Sequence, residues 1–263
     1  MSEPAVLEDL DDGVLLVTLN RPHKKNAFND PQWDGLRDAL RRGREDDRVA
    51  VVVVTGAGSD FSAGQDLSAF QQSAEPREDG QPNGFASCID ALFELDKPLL
   101  AAAKGVGVGG GATLLFACDL VYVGESVRLR LPFVSLGLVP EIASSYLLQA
   151  AIGRQRAAEL FFTSEWIDAR RAVEVGIAVR SLPDAELLPA TLEKASEIAQ
   201  WPVSSLRATK RALMAPHSAA IRAARETEDA GMAALAGSPE NIEAVTAFLQ
   251  KRAPDFAKFR KER

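Results

Sequence analysis

The chain is poor in the residues that build disulfide frameworks, metal centres and histidine-based catalytic sites. Its 263 residues include two cysteines and two histidines. Cys88 and Cys118 lie far apart and match neither a disulfide pattern nor a C-x-x-C pair, so they are expected as small buried hydrophobes in a reducing compartment. His23 and His217 match no triad or metal spacing and are expected on the surface or in loops. Long apolar runs are missing as well. The most apolar stretch, Pro98 to Ala103, is too short to span a bilayer. Met1 to Leu10 is acidic where a secretory signal would be basic and then apolar, and the final Phe259-Arg-Lys-Glu-Arg263 is not a Ser-Lys-Leu-type address. A cytoplasmic location is expected. Nor is there an excess of positive charge: 30 Lys and Arg stand against 37 Asp and Glu, a formal net charge of −7. That argues against a broad electrostatic footprint for nucleic acid, so an anionic ligand must be caught locally.

What is present is an ordinary globular balance, 46% hydrophobic and 25% charged, long enough for one large α/β domain. Gly13-Val-Leu-Leu-Val-Thr-Leu-Asn20 reads as a strand, and Val49-Ala-Val-Val-Val-Val-Thr55 as a strand covered on both faces. Between them a helix is expected, with Asp30 as N-cap, Pro31 at its first position and Trp33, Leu36 and Leu40 facing inward. Pro98 to Lys104 reads as another buried strand, Gly105 to Gly111 as a glycine turn, Ala112 to Ala117 as a helix and Leu120 to Val123 as a short strand. Repeated strand, glycine turn, helix and strand without a G-x-G-x-x-G at the first turn suggests α/β, but not a dinucleotide-binding Rossmann domain. Gln71 to Gly84 is polar, without hydrophobic period, and is expected as a loop. From about Pro183 the chain reads as helical, and no internal repeat recurs at a fixed spacing.

Two glycine-bearing turns each follow a buried strand: Thr55-Gly-Ala-Gly-Ser-Asp-Phe-Ser-Ala-Gly-Gln-Asp-Leu67 and Gly105-Val-Gly-Val-Gly-Gly-Gly-Ala-Thr113. Glycines there let a ligand approach the main chain, and a helix N-terminus adds partial positive charge. Tight packing of strand against helix explains either turn equally well on its own. Glu141 is equally open. It reads as a first-turn helix acid after Pro140, or as a functional carboxylate.

Taken in order, Asn20-Arg-Pro-His-Lys-Lys-Asn-Ala-Phe28, Phe61-Ser-Ala-Gly-Gln-Asp-Leu67, Lys97-Pro98, Lys104-Gly-Val-Gly-Val-Gly-Gly-Gly111, Ala117-Cys-Asp119, Leu136-Gly-Leu-Val-Pro140, Gly153-Arg-x-x-Ala-x-Glu-Leu160 and Phe248-Leu-Gln-Lys-Arg-Ala-Pro-Asp-Phe256 resemble the signatures of the enoyl-CoA hydratase/isomerase (crotonase) superfamily. The resemblance implies an α/β, ClpP-like spiral of repeated β-β-α units with a helical C-terminal region. It divides the chain into a core over 1–200 and a helical trimerisation region over 201–263, assembled as a homotrimer or homohexamer. It also implies an acyl-CoA thioester as substrate, with no metal, nicotinamide or flavin cofactor and no membrane or nucleic-acid partner. The N–H groups of Gln65 and Gly110 become an oxyanion hole, the pair of donors that stabilises charge on a thioester oxygen as an enolate forms. Ala63, Gly64, Gln65, Asp66 and Leu67 of the first turn, Gly109 of the second, and Phe133 become substrate contacts. Lys25 approaches the CoA phosphates, and Phe248 and Lys251 reach a neighbouring subunit's ligand.

Reaction identity rests on acids and bases, and here the chain departs from the hydratases it resembles. Their two glutamates correspond to Thr113 and Phe133, neither of which can activate water. Pro132-Phe133 followed by Pro140-Glu-Ile-Ala-Ser-Ser-Tyr146 is instead similar to Δ3,Δ2-enoyl-CoA isomerases, and implies Glu141 as the single base in an apolar pocket of Phe133, Leu136, Leu138 and Ile142. Ser144, Ser145 and Tyr146 are expected to pack or to orient that base, and Asp66 and Asp119 to brace structure. Ring or epoxide isomerisation of an aromatic acyl-CoA, weak hydration, and a noncatalytic acyl-CoA- or RNA-binding role are the alternatives.

Overall fold

The computed structural model describes residues 3–66 and 84–260. Leu67 and residues 71–83 of the expected loop lie outside them, while Gly84 is the first residue of a helix. The larger sheet runs β1 (Val6–Asp11), β2 (Val14–Leu19), β3 (Val51–Gly56), β4 (Leu99–Ala103), β6 (Leu120–Gly124) and β9 (Arg180–Leu182) in that spatial order. From β2 onward every pairing is parallel, and β1 closes one edge antiparallel. A parallel sheet of this kind must be covered on both faces, which explains the unbroken Val and Ala runs of β3 and β4.

The two faces separate by alternation. Leu15, Val17, Val52, Val54, Ala101, Ala103, Val121 and Val123 pack with α1 (Asp30–Glu45) and α2 (Gly84–Glu94) in the main core. Their neighbours Val14, Val51, Val53, Leu100, Ala102 and Tyr122 meet Leu187 and Ala195 of a long helix over Asp184–Ala199. One strand thus feeds two cores, as period-two side chains dictate.

A second, three-stranded sheet contains β5 (Val106–Val108), β7 (Arg128–Arg130) and β8 (Ile167–Asp168). Single bridges tie Ser62 to Gly107 and Gln65 to Phe28. A repeated unit emerges: a strand in the large sheet, a shorter extended piece in the second layer, then a helix. β3, Ser62 to Gln65 and α2 form one, and β4, β5 and α3 (Gly110–Phe116) the next. β6 and β7 lead into the third, whose helix α4 spans Ser144–Ile152. The intervening loops differ in length, so the repeat has no fixed period in sequence.

Several boundaries differ from expectation. Asn29, not Asp30, caps α1, its side chain accepting from Gln32 N at 3.2 Å. The Gly105 to Gly111 turn contains strand β5, and α3 starts at Gly110; Gly111 lies where the helix presses on the first turn, a Cβ there falling 2.3 Å from Ser62 O. β1 escaped notice because an edge strand exposes its acidic side chains. Cys88 is buried and Cys118 partly buried, both free thiols pushed upward in pKa by burial. The C-terminal part is helical as expected: α5 (Arg154–Thr163), α6 (Ala169–Val175), α7 (Asp184–Ala199), α8 (Val203–Met214), α9 (Ser218–Leu235) and α10 (Pro239–Leu249) follow α4. No helix among the described residues is long and apolar enough to cross a membrane.

Candidate active site

Three segments meet at the ends of the parallel strands, where α/β folds place ligands. The first is the turn after β3. Asn26, fully buried with φ 53°, donates from Nδ2 to Ala57 O (2.9 Å) and Asp60 O (2.7 Å) and accepts from Arg21 N (2.9 Å). Ser62 Oγ donates to Asn26 O (2.7 Å) and accepts from Gly64 N (3.2 Å). Arg21 completes the brace, bonding Ala27 O and pairing with Asp66 at 3.0 Å. The structural role expected for Asp66 is therefore present. Ala63 N donates to Lys25 O (2.9 Å), which sets Lys25 beside the turn, its side chain 60% exposed and its ammonium 3.9 Å from Asp60.

Main-chain geometry determines where Gln65 points. Phe28 N donates to Gly64 O (2.7 Å) and Asp66 N donates to Phe28 O (2.8 Å). In a parallel bridge the partner bonds the residues on either side of the bridged one, so the N–H of Gln65 faces away from Phe28. Among the described residues it has no acceptor. Its side chain is fixed separately, by Trp33 Nε1 donating to Oε1 at 3.0 Å.

The second segment is the turn after β5. Gly109 (φ 51°, ψ −122°) holds a conformation open essentially to glycine alone, and its carbonyl accepts from Ala112 N and Thr113 N, both at 2.9 Å. Gly110 then opens α3, so its N–H is one of the helix's unpaired donors. The two turns touch: a Cβ on Gly64 would lie 2.4 Å from Val108 O and 3.6 Å from Gly110 N.

The third segment carries Glu141. A Cβ on Gly110 would meet Glu141 Oε1 at 3.2 Å and the Trp33 ring at 3.6 Å, so the carboxyl, the indole and the second turn share one space. Trp33 stacks on Phe28 with ring centres 3.8 Å apart and takes the edge of Phe85 at 5.1 Å, an apolar wall beside the carboxyl. Burial raises the Glu141 pKa from its ordinary 4.5 to about 7, and the negative charge of Glu228 adds to the rise. The carboxyl keeps some accessible surface, yet sits deep among protein atoms; depth governs its charging cost. Helix α4 begins only at Ser144, with Ala143 as its N-cap, so Glu141 stands ahead of the helix. The first-turn reading of Glu141 is overturned.

The two positions matching the hydratase acids cannot replace it. Thr113 is fully buried and its hydroxyl donates back to Gly109 O at 3.2 Å. Phe133 is buried, its ring 6.4 Å from that of Phe161, and Ile142 is buried too. Phe248 and Lys251 are not brought to this site within the chain. Both are exposed at the end of α10, and no hydrogen bond or ion pair among the described residues joins them to the turns. Asp119 accepts from Leu99 N (2.7 Å) and pairs with Lys210 (2.8 Å), the bracing role expected of it. His217 Nδ1 lies 2.7 Å from Tyr146 OH. Sequence reasoning missed Trp33 and Asn26 as site residues, although both lie in or beside the Asn20 to Phe28 motif, and it missed Glu228 altogether.

Two donors from neighbouring turns and one carboxyl titrating near neutrality can together hold an oxygen on which charge develops and move a proton beside it. Comparison with known proteins gives the same architecture a family. The enoyl-CoA hydratase/isomerase family model matches residues 9–259. The chain is 34% identical over 245 residues to 2,3-dehydroadipyl-CoA hydratase of Escherichia coli K12, covering 92% of this chain and 94% of that one. It is 30% identical over 257 residues to 1,2-epoxyphenylacetyl-CoA isomerase of the same organism, covering 95% and 97%. The crystal structure of an enoyl-CoA hydratase/isomerase from Pseudoalteromonas atlantica T6c superposes with a TM-score of 0.91 at 35% identity, covering 96% of this chain and 99% of that one. The spiral of β-β-α units is thus the crotonase fold, and the chain is an enzyme of the enoyl-CoA hydratase/isomerase family.

Proposed function

We propose that this enzyme converts a 3-enoyl-CoA thioester to its trans-2-enoyl isomer with Glu141 as the only acid–base group. The observation that carries this reading is the Glu141 carboxyl beside Gly110, the one carboxyl there among the described residues, raised to a pKa of about 7, where hydratase-type acids are replaced by Thr113 and Phe133. Glu141 removes a C2 proton; the electron pair of that C–H bond flows through C1 onto the thioester oxygen as the dienolate forms. The N–H groups of Gln65 and Gly110 hold that oxygen. As the carbonyl reforms, C2 and C3 become doubly bonded and C4 takes the proton back from Glu141. A pKa near the working pH suits a group that must both accept and return a proton.

Ala63, Gly64, Asp66 and Gly109 supply the close-approach backbone for the thioester and pantetheine, Lys25 meets the phosphates, and Phe133 belongs to the acyl pocket. The exposed Phe248 and Lys251 serve a neighbouring subunit's CoA site in a homotrimer or homohexamer built through residues 201–263. Light scattering on the purified protein tests that assembly.

Glu141→Gln keeps the shape and removes the base. Isomerisation of 3-enoyl-CoA, followed by the conjugated thioester chromophore, is expected to fall about 10³-fold. Undiminished turnover in that variant sinks the assignment. The 30% identity to an epoxyphenylacetyl-CoA isomerase supports a second reading, isomerisation of a strained ring on an aromatic acyl-CoA over the same donors. Faster turnover of such a substrate than of any 3-enoyl-CoA favours it.

A further inference from the structure

The turn that presents Glu141 is backbone-strained. Ile142 and Ala143 both take left-handed conformations, φ 60° and 53°, which are strained outside glycine and rare for a β-branched residue. Such a turn persists only if its surroundings over-determine it. The local chain bonds the turn's carbonyls, Ser144 N to Glu141 O at 3.1 Å and, from the first turn of α4, Tyr146 N and Leu147 N to Ala143 O at 3.0 and 2.9 Å, but gives the Ala143 and Ser145 amides no acceptor. The remainder comes from elsewhere in the sequence. Glu228, on α9 and 5% exposed, accepts from Ala143 N through Oε2 (2.7 Å) and from Ser145 N through Oε1 (2.8 Å), one oxygen to each amide. A carboxylate in that place also caps the N-terminus of α4, whose N-cap residue Ala143 makes no side-chain bond of its own.

We infer that Glu228 is a positioning residue for the reaction, its two-pronged grip on the Ala143 and Ser145 amides fixing the left-handed turn that aims Glu141 at Gly110. The inference rests on Glu141 being the base. Glu228 has a second influence on the same group, since its charge contributes to the raised pKa of Glu141. Other charged groups around the pair are Asp229 on the same helix, Arg225, engaged with Asp90 at 2.6 Å, and His217 with Tyr146 where residues 215–217 meet α4.

Two variants separate grip from charge. Glu228→Gln offers one acceptor oxygen, so one amide loses its partner and faces an NH2 group. Glu228→Asp keeps the charge but is too short to reach both amides. Both are expected to lose roughly ten- to a hundredfold in kcat, the range for a displaced catalytic group, with KM within about twofold of wild type. The acid limb of the pH–kcat profile moves to lower pH in Glu228→Gln, where the like charge is gone, and stays near wild type in Glu228→Asp. Wild-type kcat in both folded variants overturns the inference. So does a fall in kcat that tracks lost thermal stability while the acid limb of Glu228→Gln stays put, and so does failure of both variants to fold, which makes Glu228 a folding residue only. Glu141→Gln run in parallel distinguishes the two claims: if it is inactive while both Glu228 variants match wild type, the inference falls and the base assignment stands. If Glu141→Gln is fully active, the base assignment itself falls.

Discussion

The two sides of the site are built on opposite principles. On the donor side, the strained backbone positions around the unpaired N–H groups are glycines and the adjacent pair Lys25 and Asn26, and each buried polar group of that turn is bonded to a neighbour within the first hundred or so residues. On the acid side, two left-handed non-glycine residues follow a buried carboxyl raised to a pKa of about 7, and the clamp arrives from α9, more than eighty residues later. The donor side spends its hydrogen bonds locally, and the two N–H groups left over are the ones the proposed reaction assigns to the thioester oxygen. The acid side holds a group the fold would prefer uncharged. Substitution should therefore weaken the fold on the first side, whereas replacing the Glu141 carboxyl should strengthen it on the second.

The largest effect is expected at Gly64. Its φ of +81° and a Cβ placed 2.4 Å from Val108 O leave Gly64→Ala no room, and the loss of about 4 kcal/mol or more is read from the denaturant midpoint. A drop below 1 kcal/mol means that the two turns are not locked together. Glu141→Gln should move the other way. The carboxyl's folded-state pKa lies above its unfolded value, so the fold carries no penalty below about pH 4.5 and the full penalty above pH 7. The variant should match wild-type stability near pH 4 and exceed it by at most about 3 kcal/mol at pH 8. Urea melts at both pH values check this, and an unchanged difference between them means that the carboxyl titrates normally. Asn26→Ala strips partners from Ala57 O, Asp60 O and Arg21 N, and is expected to cost about 2–3 kcal/mol. Smallest is Thr113→Val. It should cost about 1 kcal/mol and leave isomerisation within roughly twofold, because that hydroxyl is spent on Gly109 O; a tenfold loss of rate gives Thr113 a part in the chemistry.

The same contrast explains how much was legible in the sequence. A turn that needs glycine shows it in the residues themselves, so both donor turns and the buried strands feeding them could be read along the chain. Strand β5 was hidden because Val106-Gly-Val108 looks like part of a glycine run, and β1 because edge strands carry acidic residues. Glu141 after Pro140 was ambiguous by itself, since a helix-start acid has the same local pattern, and only the ordered resemblance to a family singled it out. Glu228 carried no signal. It lies among Arg225, Glu226 and Asp229 on an alanine-rich helix, and nothing local distinguishes a buried carboxylate from its solvated neighbours. Long-range capping of a strained turn is written in three dimensions only. Trp33 was read as core, correctly, but its indole N–H bond to Gln65 depends on the β3 turn reaching back to α1.

The central claim is that one carboxyl opposite two backbone donors makes an isomerase and not a hydratase. Its most direct test gives the purified wild-type protein a 3-enoyl-CoA and, separately, the matching trans-2-enoyl-CoA at pH 8, following the appearance and the loss of the conjugated thioester chromophore. Formation of the conjugated product from the 3-enoyl substrate at least about 10²-fold faster than hydration of the 2-enoyl substrate is the expected result. Hydration as fast as or faster than isomerisation would contradict it.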